Sequence, residues 1–486
     1  MNTQAGTGRV QQQVPGAAHR ETVQQDDQSA GAPGGSRYPV TPWSTRRFYR
    51  PYVQIALAVA LTLGFTTGAF MLITPWFGID RGVWWLTHAQ AHGMAQIFGW
   101  AGLFTMGIAF HVLPRLRGGN IVFPWPQRIT LVTVTTGIIL RFLGQTIYSH
   151  PASDAALSAS GILVAMGTVL FGATMFGALS QGKTRRSHLE PWLWAGSGWA
   201  IIAGLLHLGG ILEMMSASGI VVPHSWNNAF ITVAVLGFVI NFIFGVSTRA
   251  LAAFMSLRPC HVPVNRLAFW ALNVGVACQA VAVLMQWDTL LIGTGVLLQA
   301  VGILAFIVSL RILERRNQQQ RYLAGTYGRY EWFLRAAYCW LAAAGILMFL
   351  QGVGQVTGRP LLPVMVAGPI LHMLTLGFIT GVIFGMGARM LPLFEGSELP
   401  WRRSLDIAFA ALNLSVATRV IFGFSGSPAM FDGLAVSGVV GLAALVSFAV
   451  PMYRAFRPGA RDAYRRRAAA VGKRRLATIQ AINEQP

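Results

Sequence analysis

Histidine and arginine inside apolar sequence are the residues of this chain best suited to chemistry. Of ten histidines, His88 and His92 lie four apart in HAQAHGM, His372 sits between Leu371 and Met373, His207 follows GLL, and His224 precedes another apolar run. Neutral imidazole is a common nitrogen ligand for haem iron, copper and zinc. Residues four apart share a helical face, so His88 and His92 could serve one metal or two neighbouring ones. The alternatives are ordinary: His88 at an interface, His207 satisfied by helix packing, His224 in a loop, and His111 packing near a helix end. Arg141 and Arg419 each lie 27 residues after a proline, Pro114 and Pro392, in otherwise apolar stretches. A guanidinium at that depth costs several kcal/mol unless it meets an anion, a carbonyl or water. Glu213 is one candidate partner, and a polar transport path is another role for such arginines.

These residues need elements to position them, and composition says which. The 486 residues are 54% hydrophobic and 11% charged, and many apolar runs exceed the ~20 residues that cross hydrocarbon. Twelve are expected, at 53–78, 88–114, 127–149, 156–180, 191–217, 227–256, 265–286, 289–312, 330–356, 365–392, 404–425 and 430–455. The fold class is therefore an all-α integral membrane protein. A pattern of two glycines eight apart, followed four residues later by a polar side chain, recurs around Gly107, Gly245 and Gly385, at intervals of 138 and 140 residues. It implies three four-helix pseudo-repeats at about 46–186, 187–325 and 326–456. Small residues at such spacing allow close helix approach.

The net charge of +21 does not imply nucleic acid, because Lys and Arg concentrate in alternate connections. The positive-inside rule then sets both termini in the cytoplasm. Helices 2, 6 and 10 run inward, so His88, His92, His207, His224 and His372 gather in the outer half of the bundle. Residues 1–45 are rich in Gln, Gly, Ala and Ser, as in a disordered tail, and 457–486 form a basic tail able to meet anionic lipid. The first apolar run begins after residue 50, which gives no sign of a cleaved leader. Cys260, Cys278 and Cys339 have no CxxC or CxxCH spacing, and nucleotide-binding and HExxH motifs are missing.

Twelve helices in three arcs, with HGMAQIFGWAGLFTMGIAFHVLPRL in helix 2 and HMLTLGFITGVIFGMGARMLPLFEG in helix 10, resemble subunit I of haem-copper oxidases. That resemblance implies a low-spin haem held by His92 and His372. It also has gaps. Ile370 stands where an oxidase has its high-spin haem ligand, and helix 7, LAFWALNVGVACQAVAVLM, lacks the copper histidines. Over residues 45–455 the chain is similar to the NnrS family of membrane haem and copper proteins of the bacterial nitric oxide response. The similarity rests on the histidine-bearing start of helix 2, GFxxxxxFGxxxR in helices 6 and 10 with Arg249 and Arg389, and FLRAAYCWLAAAGILM in helix 9. It departs at Gln90 and Gly93, where the family has His and Glu in a His-x-His-Glu run.

The expected function is thus a haem b protein of the bacterial inner membrane, serving nitrosative-stress defence or electron transfer from a respiratory donor. His92 and His372 are the expected axial ligands, with Arg141 and Arg419 at the propionates. A second metal, copper, would use His88, His207 or His224. Nitric oxide, haem and membrane lipid are the expected partners. The alternatives are a multi-pass transporter of a small anionic substrate and a non-catalytic oxidase-like scaffold subunit.

Overall fold

The computed structural model describes residues 47–117, 125–181, 188–314, 327–397, 399–425, 430–457, 459–460 and 462. The expected N-terminal tail and most of the basic C-terminal one lie outside the described residues. Twelve helices are long and apolar enough to cross a membrane: α1 Tyr49–Phe77, α2 Val83–Pro114, α3 Trp125–Thr146, α4 Ala152–Ser180, α5 Glu190–Ser216, α6 His224–Met255, α7 Val262–Leu284, α8 Thr289–Leu310, α9 Tyr330–Thr357, α10 Ala367–Glu395, α11 Arg402–Ser425 and α12 Met430–Ala455. Their limits follow the expected apolar runs to within a few residues. There is one difference of consequence: α6 starts at His224, which is its first residue and not part of a loop.

Three helices are central. In their most apolar windows α2 and α6 are 83% buried and α10 is 78% buried, whereas no other helix exceeds 56%. The outer nine pack side by side as α3–α4–α5, α7–α8–α9 and α11–α12–α1. Their outward faces carry apolar side chains such as Trp270, Val308 and Ile421, each more than 60% exposed, the surface a helix turns to hydrocarbon rather than water.

The central helices meet one another through π-helical segments, Ala95–Gly102, Val233–Val239 and Met373–Thr380. Their starts are separated by 138 and 140 residues, the intervals of the glycine pattern. A π turn displaces carbonyls from their usual donors, and polar side chains compensate here. The Thr380 hydroxyl donates to the Thr375 carbonyl and Asn241 Nδ2 to the Leu236 carbonyl, both five residues back, at 3.0 Å.

The recurring glycines mark where these helices touch their predecessors. A methyl group at Gly377 would lie 2.8 Å from Trp340 Cβ, one at Gly237 would lie 2.8 Å from Trp199 Cγ, and one at Gly99 would clash with Val59 Cγ1. The two tryptophans then donate to asparagines of α7 and α11, Trp199 to Asn273 at 2.7 Å and Trp340 to Asn413 at 2.9 Å. Replacing Asn273 or Asn413 by Leu would strand an indole N–H. The expected cost is about 1–3 kcal/mol each, read as a lower unfolding midpoint in detergent. Unchanged midpoints for both would show that these bonds are not structural.

Candidate functional site

A cavity of about 310 Å³ opens between α1, α2, α10 and α11, with α6 and α12 completing its wall. His92 of α2, His372 of α10 and Arg419 of α11 all line it. Each imidazole is fixed through Nδ1: His92 Nδ1 is 2.9 Å from the Gly64 carbonyl, and His372 Nδ1 is 2.8 Å from the Gly368 carbonyl. A carbonyl only accepts, so both rings carry their proton on Nδ1, leaving Nε2 with its lone pair. Orienting an imidazole by a carbonyl on one nitrogen is the usual way of presenting the other to a metal. The two differ at Nε2. Arg419 donates to His372 Nε2 at 2.9 Å, while His92 Nε2 makes no hydrogen bond among the described residues.

The local backbone explains how His92 reaches its place. The π-helical segment Ala60–Gly64 ends with Gly64 away from helical geometry, at φ −86° and ψ −100°, and its carbonyl is the one His92 uses. One turn later, a Cβ at Gly68 would be 2.5 Å from His92 Cε1. The ring therefore lies against bare backbone. On the far side of the cavity the Trp100 indole donates to Thr380 Oγ1 at 3.1 Å, linking the π-helical segments of α2 and α10.

The structure does not bring Arg141 to this cavity. It is buried, 3% exposed, on the opposite side of α2, where with Gln90, His207 and Asn227 it lines a separate cavity of about 20 Å³. Gln90 and His92 are two residues apart, which puts them on opposite helix faces. No carboxylate pairs with Arg141 or Arg419 among the described residues, and Glu213, considered as a partner, is exposed on α5.

Nor do the histidines considered for a second metal come together. His88 has both nitrogens near protein oxygens, the Trp84 carbonyl at 2.7 Å and Thr146 Oγ1 at 3.5 Å. His207 is buried against Ser160 Oγ at 3.3 Å, and His224 is exposed at the start of α6. Among the described residues no three His, Cys, Asp or Glu side chains are grouped to hold a metal ion. His111 packs between the Tyr49 and Phe394 rings, with centroids 4.5 Å from each.

Residues 315–456 match a family described as a domain of unknown function, DUF8744. The matched region covers α9 to α12 and so contains His372 and Arg419. No curated protein matches the chain.

Sequence reasoning missed Gly64, Gly68, Trp100 and Thr380 as parts of the site. Gly64 and Gly68, four apart within an apolar run, were the available signal of a close approach along α1.

Proposed function

We propose that this chain is a multi-pass haem b protein of the bacterial cytoplasmic membrane, built from three four-helix units with both termini on the cytoplasmic side. His92 and His372 would hold the iron. The observation that carries this reading is the pair of imidazoles on facing central helices, each tied by Nδ1 to a carbonyl and lining one cavity. Three further features support it: bare backbone at Gly68 beside one ring, a largely apolar wall, and Arg419 as the cation for a propionate. The unit boundaries are supported by the equal spacing of the π-helical segments and by a family match that covers one such unit.

When bound, a haem would supply one-electron redox chemistry and a place for nitric oxide. The rest follows from the residues. The Gly64 carbonyl holds the His92 ring in one tautomer and orientation. Arg419 occupies His372 Nε2, the nitrogen that a metal would need, whereas His92 Nε2 is open, so His92 would be the firmer ligand. The largely apolar wall, contributed by six helices, suits either electron transfer or capture of a small apolar gas. The resemblance to NnrS proteins favours a part in the response to nitrosative stress.

The test is the reduced-minus-oxidised spectrum and pyridine haemochrome of detergent-purified protein from cells supplied with iron. Close to one b-type haem per chain is expected. Folded protein without haem would overturn the proposal and leave a carrier for a small anion as the better reading.

A further inference from the structure

We propose that the small cavity between α2, α3, α5 and α6 is a binding site for a single monatomic anion of chloride size, held by Arg141. The argument begins with an unbalanced guanidinium. Among the described residues only its Nη2 has a partner, the Gln90 side-chain oxygen at 3.2 Å; Nε and Nη1 are buried with none. That oxygen is already crowded, because it also accepts from Gln145 Nε2 at 3.1 Å and from the Val222 N–H at 2.9 Å. It cannot neutralise a cation.

The surrounding elements offer no carboxylate. α2 contributes Gln90 and Met94, α5 contributes Leu206 and His207, α6 contributes Trp226, Asn227 and Phe230, and α4 adds Ser160 beside His207. A cation this far from water and without a counter-charge is strongly destabilised. An anion between Arg141, His207 and Asn227 would remove that cost, using donors all three residues possess.

Size sets the ligand class. The cavity, about 20 Å³, is small, which favours one compact ion over a larger organic anion. Sequence spacing shows why the cavity is so small. Arg141 precedes Arg419 by 278 residues, and the positions 278 before His372 and 138 after His92 are Met94 and Phe230, both of which line this cavity. The place corresponding to the haem cavity thus keeps the arginine and lacks both histidines. In the remaining unit the matching residue is the neutral Gln279, which accepts from Gln299 at 2.7 Å, so no anion is called for there.

The full-length protein, purified in detergent with gluconate as the only anion, would be titrated with radiolabelled chloride at constant ionic strength. One saturable site per chain is expected, displaced by bromide and not by sulfate, with affinity weakened by about tenfold or more in Arg141→Gln. His207→Gln, which keeps the cation, is expected to weaken binding by a smaller factor and serves if Arg141→Gln does not fold. Absence of saturable binding in folded wild-type protein, equal displacement by sulfate, or binding unchanged in both variants would overturn the proposal. None of these readouts depends on haem content, so failure here and failure of the haem reading are separable.

Discussion

His92→Ala is expected to lower bound haem from about one per chain to below about a tenth, and His372→Ala to leave a larger remnant with an altered, high-spin spectrum. The asymmetry follows from the surroundings of the two rings. His92 is fixed by the Gly64 carbonyl and keeps Nε2 unbonded, so its contribution is made before anything binds. Nothing nearby replaces it: His88, one turn earlier, is occupied by Trp84 and Thr146 of α3. His372 shares its Nε2 with Arg419, and part of its coordination energy is spent in breaking that bond. Haem per chain and the optical spectrum of each variant measure the difference. Equal retention in both, with wild-type spectra, would show that neither imidazole meets the iron.

The positions of the twelve helices were legible because long apolar runs between clustered cations have few other solutions. The glycine spacing also carried real information. Gly99, Gly237 and Gly377 stand where Val59, Trp199 and Trp340 press against the central helices. What could not be read was the π-helical geometry. One extra residue in a turn leaves no compositional mark, yet it sets the direction of every side chain that follows. That Arg141 lies away from the His92 cavity could not be read for a related reason. Its spacing from Pro114 matches that of Arg419 from Pro392, which fixes its level along the bundle but not the side of α2 that it meets. Gln90 faces Arg141 and His92 faces the larger cavity, and two residues of sequence separate the two environments. Similarly, five histidines at one end of a bundle do not make one cluster: they lie on four helices, α2, α5, α6 and α10, and only His92 and His372 among them line a common cavity.

Gly68→Ala is the sharpest test of how the chain holds His92, because it alters neither a ligand nor a charge. The added methyl would sit 2.5 Å from His92 Cε1 and 3.1 Å from both ring nitrogens, far inside contact distance. Either the ring swings away and gives up the Gly64 carbonyl, or α1 moves outward from α2. The first path is cheaper, since it breaks one hydrogen bond instead of repacking a helix held between α2 and α12. The expected result is a loss of roughly 1–3 kcal/mol in folding stability and a several-fold drop in haem retention. Gly93→Ala provides the comparison: this glycine lines the same cavity one residue from His92, and a methyl there would meet nothing within 4 Å. It should keep haem and gain slightly in helix propensity. If the two variants retained haem equally, the tautomer and orientation of His92 would not depend on the bare backbone of α1, and the claim that this site is built around that ring would have to be abandoned.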